Sequence, residues 1–196
     1  MSSSDISALL GSRICHDLIS PLGAIGNGIE LLQMSGMGDS PEMSLITESV
    51  ENANARIRLF RVAFGAAQPD QTVARREVET ILSTFGSARS LEIDWQLEEA
   101  LPRDMTRLIF LLLLCGESAL PWGGKIAVAL AGDDLRVELI ADRVRNEAEL
   151  WRHLATTDAL LPDASEIHFY LARQAAEAMG RTVDVELGEK RVVLTA

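Results

Sequence analysis

Hydrophobic residues recur at three- and four-residue steps from Ser4 to about Ala67, apart from one interruption. This spacing places the apolar side chains on one face of an α-helix. The interruption, residues 35–41, ends in Ser40 and Pro41, which suit the N-cap and first turn of a helix. The pattern predicts a hairpin of two long amphipathic helices. Its apolar positions are Ile14, Leu18, Ile25, Ile29 and Leu32 in the first helix and Leu45, Ile46, Val50, Ile57, Phe60 and Phe64 in the second.

A lone hairpin cannot bury an apolar stripe on each of its helices. Two hairpins can bury them by dimerising into a four-helix bundle, which is the usual arrangement for such helices. The C-terminal part of the chain could cover the same residues instead. The pattern predicts the helices and leaves the choice between these two covers open.

After a short linker predicted at residues 68–70, the periodicity becomes mixed. Alternating segments predict five strands, and helical patterns predict four helices between them. Glycine-containing turns at residues 132–134 and 188–190 separate neighbouring strands, as in β-hairpins. Strands joined by turns, with helices that do not alternate strictly with them, indicate a two-layer α+β domain. The predicted strands are residues 91–97, 126–131, 135–141, 182–187 and 191–194, and the predicted helices are residues 75–85, 103–119, 147–160 and 165–179.

The predicted fold class is a helical hairpin followed by a two-layer α/β sandwich, with domains at residues 1–68 and 72–196. The last predicted helix carries signals at both ends. Asp163, followed three residues later by Glu166, is typical of a capping box, and Gly180 suits the C-terminal stop of a helix.

Composition narrows the classes of function. The chain has 18 basic and 29 acidic residues, a net charge of −11, which disfavours a nucleic-acid groove because phosphate binding needs clustered Lys and Arg. Cys15 and Cys115 lack metal-ligand spacing and cannot make a disulfide framework, which is typical of a reducing compartment. The longest apolar run, residues 108–115, is too short to span a membrane. We expect a soluble, cytoplasmic protein whose partners are proteins.

One region of the first helix conflicts with its own pattern. Pro21, Gly23, Gly26 and Gly28 are poor helix formers, yet the hydrophobic steps continue through them. Such conflicts are typical of functional sites. On a helical wheel His16 lies about 160° from the centre of the apolar stripe, so it is expected to face solvent or a partner. The residues within about 40° of it are Ser20, Gly23 and Asn27, which make a small, polar face.

His16 has the chemistry of a nucleophile. An imidazole, with a reference pKa of about 6.5, is largely neutral at neutral pH, so one ring nitrogen can attack while the other holds the proton. Asp17 could accept a hydrogen bond from that proton and stabilise the developing charge. Arg13, one turn earlier, could neutralise phosphoryl oxygens, as phosphoryl transfer requires. The alternative is an ordinary surface histidine.

These residues carry a resemblance. The run His16-Asp17-Leu18-Ile19-Ser20-Pro21-Leu22 resembles the H box of histidine-kinase dimerisation and phosphotransfer domains, H-[ED]-L-x-x-P-L. The C-terminal half resembles the Bergerat ATPase fold of the same kinases in its order of elements. Residues 108–128 look like its N-box helix and following strand, and residues 167–194 look like its final helix and closing strands.

The nucleotide-binding chemistry of that fold is missing. The resemblance places Cys115, which offers no hard oxygen ligand, where the kinases have a Mg²⁺-binding Asn. Residues 142–146 stand in place of an Asp-x-Gly-x-Gly loop and residues 163–168 in place of a second glycine-rich loop. Without those glycines the backbone cannot closely approach phosphates. We therefore expect this chain to bind no ATP, no other cofactor and no metal.

An H-box hairpin joined to a degenerate ATPase-like domain resembles the ChpT-type histidine phosphotransferases of alphaproteobacteria. The resemblance implies a homodimeric enzyme that relays a phosphoryl group between the aspartates of receiver domains through a phosphohistidine at His16, with Asp17 beside it. The partners it implies are the receiver of a CckA-like hybrid kinase and CtrA-like and CpdR-like response regulators of the cell cycle, and Mg²⁺ is expected in the receiver. The residues expected to contact the receiver are Arg13, Ser20, Gly23 and Asn27.

Two other functions stay open at this stage. An ATP-dependent histidine kinase fragment would label itself from ATP. A non-catalytic dimeric scaffold that binds response regulators would not need His16.

Overall fold

The computed structural model describes residues 3–37, 40–66, 70–156 and 161–196. The chain divides into two compact units, residues 1–66 and 67–196. The first is a helical hairpin and the second is an α/β domain. The linker predicted at residues 68–70 falls mostly outside the described residues.

The hairpin begins with helix α1 (Ser3–Leu32), which runs through Pro21 and continues into a π-helical turn at Gln33–Met37. Gly36, at φ 80°, departs from helical geometry and kinks the chain there. Helix α2 spans Pro41–Phe64, with Pro41 in its first turn. The Ser40 side chain accepts a hydrogen bond from the Met43 N–H at 3.2 Å, so the predicted N-cap is confirmed. Residues 38 and 39 of the predicted break lie outside the described residues.

The two helices pack antiparallel, the start of α1 beside the end of α2. The Ala66 N–H donates to Ser12 Oγ at 3.2 Å, and a Cβ added to Gly11 would lie 3.2 Å from the Cβ of Phe64. Cys15 and Ile29 are the described residues of α1 that are buried. Ile29 belongs to the predicted stripe and Cys15 does not, and on a wheel the mean direction of the two is turned by about 70° from the other four stripe residues. The rest of that stripe stays exposed, at 50% for Ile14, 45% for Leu18, 49% for Ile25 and 40% for Leu32.

The α/β domain is built on a five-stranded sheet of order β2-β4-β5-β7-β6. The first pair, β2 and β4, is parallel, and the other pairs are antiparallel. All five predicted strands are confirmed, and both predicted turns join antiparallel neighbours. The strands are β2 (Leu91–Trp95), β4 (Gly124–Ala131), β5 (Asp134–Ile140), β6 (Asp184–Leu187) and β7 (Arg191–Thr195).

Two further strands, β1 (Thr72–Val73) and β3 (Leu101–Pro102), pair with each other in a separate small sheet. The sequence analysis missed them, because two residues are too few to show an alternating pattern.

A helical layer covers the sheet. Helix α4 is buried on every side from residue 108 to residue 116, which explains why its apolar run shows no polar face. A Cβ added to Gly116 would lie 2.9 Å from side-chain atoms of Ile126 and Leu139, so α4 packs closely on β4 and β5. The core therefore lies between this layer and the sheet. The helices are α3 (Arg75–Ala88), α4 (Arg103–Ala119), α5 (Ala148–Ala155) and α6 (Ile167–Ala178).

The ends of the last helix differ in how well the sequence predicted them. Gly180, at φ 70°, terminates α6, and the Arg181 N–H donates to the Ala176 carbonyl at 2.9 Å, so the predicted stop is confirmed. The predicted capping box is wrong. Asp163 precedes a 3₁₀ turn (Ala164–Glu166), but its side chain makes no capping hydrogen bond, and Glu166 instead accepts one from Arg145. Residues 157–160 of the predicted fifth helix lie outside the described residues.

Candidate functional site

The predicted nucleophile lies on the solvent side of α1. The His16 side chain is 81% exposed, and its Nδ1 lies 3.2 Å from Asp17 Oδ1. The other oxygen of the same carboxylate, Oδ2, lies 2.9 Å from Arg13 Nε. The structure thus brings together three of the predicted site residues, with Asp17 bridging the other two.

The charge of Asp17 determines which ring nitrogen of a neutral His16 carries the proton. The hydrogen bond with His16, together with the guanidinium of Arg13, lowers the pKa of Asp17 below its ordinary value, so the carboxylate is ionised at neutral pH. An ionised carboxylate only accepts hydrogen bonds, so a neutral His16 meets it with the proton on Nδ1. The lone pair, which gives a ring nitrogen its nucleophilic character, then resides on Nε2.

Beyond His16 the same side of α1 is open. Ser20, Gly23 and Asn27 are all exposed, as predicted, and a Cβ added to Gly23 would meet no atom within 4 Å. Pro21 has no N–H, so the Asp17 carbonyl receives no helical hydrogen bond from it. A second protein could therefore approach the helix backbone closely here.

Two exposed apolar side chains extend this face, and the sequence analysis missed them. Leu9 is 51% exposed and Leu31 is 67% exposed. On a wheel they lie about 20° and 60° from His16. Their helical spacing is the signal that could have found them, since it places both on the side of α1 opposite the apolar stripe.

In the α/β domain, the positions that resemble parts of a nucleotide site hold a buried thiol and two side-chain contacts. Cys115 is fully buried in α4, and burial raises the pKa of its thiol well above the ordinary value. Three residues after it, Ser118 Oγ lies 3.0 Å from His168 Nε2 and links α4 directly to α6. Arg145, in the loop that would hold phosphates, pairs with Glu166 at 3.2 Å.

The described residues show neither a metal-binding cluster nor a membrane-spanning helix. Among the described residues, no group of three or more His, Cys, Asp or Glu side chains is placed to hold a metal ion. No helix in that part of the chain is long and apolar enough to cross a membrane.

Comparison with known proteins identifies relatives. Residues 75–191 match the family described as the histidine phosphotransferase C-terminal domain. The protein phosphotransferase ChpT of Brucella abortus is 40% identical over 136 residues, which cover 68% of this chain and 65% of ChpT. The chain thus spans slightly less than two thirds of that relative.

Solved structures agree with the sequence relatives. A bacterial phosphotransferase solved at 1.7 Å is 31% identical, with a TM-score of 0.72 over 100% of this chain and 97% of its own. The histidine kinase domain of a blue-light activated kinase from Erythrobacter litoralis, 16% identical over 92% of this chain and 93% of its own, has a TM-score of 0.50 and shares the fold. The chain therefore belongs to the ChpT-type histidine phosphotransferases.

Proposed function

We propose that this protein relays a phosphoryl group between the aspartates of two receiver domains, through a phosphohistidine on His16 and without ATP. One observation carries the proposal. On an exposed helix face, His16 Nδ1 lies 3.2 Å from Asp17 Oδ1, so that Nε2, on the other side of the ring, is directed away from Asp17. Asp17 and His16 are thus the catalytic residues of the proposed reaction.

Each half of the relay is a balanced substitution at phosphorus. The Nε2 lone pair forms a bond to phosphorus while the bond from phosphorus to the aspartyl oxygen of the donor breaks, and that oxygen leaves with the electron pair as a carboxylate. The Nδ1 proton stays on the ring and donates to Asp17, which stabilises the positive charge that develops there. The second half reverses these steps onto the aspartate of the acceptor.

The receiver would bind along the open face of α1. Arg13 presents guanidinium donors beside His16, and Ser20, Gly23 and Asn27 leave room for a helix or loop of the partner. The receiver brings its own acidic site and Mg²⁺, since oxygen ligands of that kind are not grouped on the described part of this chain. By resemblance, the donor is the receiver of a CckA-like hybrid kinase and the acceptors are CtrA-like and CpdR-like regulators.

The exposed stripe on α1 supports a homodimer. Ile14, Leu18, Ile25 and Leu32 form a continuous apolar line that is 40–50% exposed, and Leu45 and Ile46 of α2 are exposed as well. The apolar faces of two hairpins would cover each other in a four-helix bundle, which leaves His16 on the outside because it lies on the opposite side of α1.

Three features of the α/β domain support the absence of ATP binding. The N-box position is a buried thiol, the Ser118–His168 contact joins the two helices directly, and the loop at residues 142–146 holds the Arg145–Glu166 ion pair in place of glycines. Phosphates bind where backbone N–H groups are free and closely approachable, and residues 142–146 contain none of the glycines that permit such an approach.

A transfer assay with the full chain tests the proposal. A hybrid-kinase receiver carrying labelled phosphate is mixed with the protein, and a second, unlabelled receiver follows. We expect acid-labile, base-stable label on the wild type, loss of that label to the second receiver, no label on His16→Gln, and unchanged labelling of His153→Gln.

Other results would reject it in distinct ways. Label on His16→Gln would show that another residue accepts the phosphoryl group. Label from ATP alone would indicate a kinase. Receiver binding without any label would indicate a scaffold.

A further inference from the structure

The contact between Arg13 and Asp17 has a geometry that bears on His16. Asp17 follows His16 directly in the helix, and neighbours in sequence point about 100° apart. Arg13 lies between them on the wheel, about 60° from His16 and 40° from Asp17. Its Nε lies 2.9 Å from Asp17 Oδ2, while Asp17 Oδ1 lies 3.2 Å from His16 Nδ1. The guanidinium therefore holds the carboxylate towards the histidine side of the helix.

The direction in which Asp17 points decides which nitrogen of His16 is free. In a neutral imidazole the proton resides on one nitrogen and the lone pair on the other, and the hydrogen bond made by the ring selects between them. A carboxylate that turned into solvent would release Nδ1, and a larger share of the rings would then carry the proton on Nε2. Those rings cannot attack through Nε2.

We propose that Arg13 is a positioning residue that acts through Asp17, holding its carboxylate against His16 Nδ1 so that Nε2 keeps the lone pair. This role rests on the proposed function of His16. It differs from a direct contact between the Arg13 guanidinium and the phosphoryl oxygens. The Arg13–Asp17 ion pair thereby orients the hydrogen bond that prepares His16 for attack.

The size of the effect follows from exposure. The Arg13 and Asp17 side chains are 72% and 50% exposed, and exposed ion pairs four residues apart in a helix are weak. Removing Arg13 is therefore expected to shift the balance between the two ring forms by about two- to fivefold. Removing the Asp17 carboxylate itself should shift the balance further.

Nitrogen NMR of the free protein measures this balance directly. With ¹⁵N-labelled histidine at pH 8.5, long-range proton–nitrogen couplings of His16 report the ratio of the form protonated on Nδ1 to the form protonated on Nε2. We expect the ratio to fall two- to fivefold in Arg13→Gln and to recover in Arg13→Lys, which restores the cation. Circular dichroism at 222 nm confirms that the exposed substitution leaves the helix intact.

The chain offers a matched control. Arg75 Nε lies 2.7 Å from Glu79 Oε1, an exposed ion pair of the same spacing at the start of α3. Arg75→Gln removes an equivalent pair and should leave the His16 ratio unchanged. An unchanged ratio in Arg13→Gln, or an equal change in Arg75→Gln, would overturn the positioning role.

Transfer kinetics separate this inference from the proposed function. Arg13→Gln should lower the transfer rate at saturating receiver, and Arg13→Lys should restore it. If Arg13 served only in docking, the substitution would raise the receiver concentration needed for half-maximal rate and leave the ring balance unchanged, which overturns the inference. A shifted balance in a chain that accepts no phosphoryl group supports the positioning role while rejecting the relay.

Discussion

The two units use their apolar residues in opposite ways. In the α/β domain the run of residues 108–115 is buried on all sides. It includes Cys115, a buried thiol at the position that resembles the Mg²⁺-binding Asn of the kinases. In the hairpin, four residues of the main apolar stripe are 40–50% exposed, and His16, the proposed nucleophile, is 81% exposed. The α/β domain buries its apolar run within itself, whereas the exposed stripe of α1 is the kind of surface that a partner covers.

The contrast predicts first that the α/β domain is intolerant of cavities. Phe110→Ala removes a ring that is fully buried, so we expect the free energy of unfolding to fall by about 3–5 kcal/mol. Urea denaturation followed by tryptophan fluorescence measures this domain, because Trp95, Trp122 and Trp151 all belong to it. The exposed Leu161→Ala should stay within about 0.5 kcal/mol. A small loss for Phe110→Ala would contradict the tight packing.

The second prediction concerns the exposed stripe. Ile25→Asp places a charge at the centre of the proposed dimer interface, so we expect the dimer dissociation constant to rise by about 100-fold or more. Light scattering across a dilution series measures the mass. Leu31→Asp makes the same kind of change about 120° away on α1 and should leave the dimer intact. Equal dissociation of both variants would show that the stripe is not the interface.

The third prediction concerns the hydrogen bond at His16. The pKa of Asp17 is lowered, so the ionised carboxylate is present at every pH above the ordinary Asp value and is lost only on acidification through the lowered pKa. Asp17→Asn should therefore slow phosphoryl acceptance by about tenfold. The factor should be the same from pH 7.5 to pH 9, because the Asp17 carboxylate stays ionised throughout this range. A factor that changes over this range would point to a different titrating group.

One substitution made in both units, glycine to alanine, is expected to have effects of opposite sign. A Cβ on Gly86 would lie 2.6 Å from the Leu91 carbonyl oxygen, so Gly86→Ala should destabilise the α/β domain by about 1–3 kcal/mol. Gly23 has open space around it, so Gly23→Ala should stabilise the hairpin by up to about 1 kcal/mol, measured by circular dichroism.

Gly23→Ala also tests the open face for function. The added methyl group should slow transfer several-fold by standing between the helix and the receiver, although the helix is more stable. Gly28→Ala, equally unobstructed but about 120° from His16 on the wheel, should leave transfer unchanged. Normal transfer by Gly23→Ala would remove that residue from the proposed contact surface.

The elements with a long repeating pattern were predicted well from sequence. Both hairpin helices, the Ser40 cap, the five strands of the main sheet and the Gly180 stop are confirmed. The features that the sequence did not predict are either very short or depend on contacts with residues distant in the chain. The strands at residues 72–73 and 101–102 are too short to show a repeating pattern. Glu166 does not complete the predicted capping box and instead accepts a hydrogen bond from Arg145, 21 residues earlier.

The sequence by itself determined that α1 is a helix, that His16 lies opposite the stripe of Ile14 and Ile25, and that the glycines of a nucleotide loop are missing, because each of these depends only on residue type and spacing. The tertiary structure alone decided which apolar line of α1 packs within the hairpin. Two lines about 70° apart are both compatible with a helical period, and only the contact with α2 selects the one with Cys15 and Ile29. It also decided that Arg13 and His16 share one carboxylate, because spacing permits that contact but only side-chain orientation makes it.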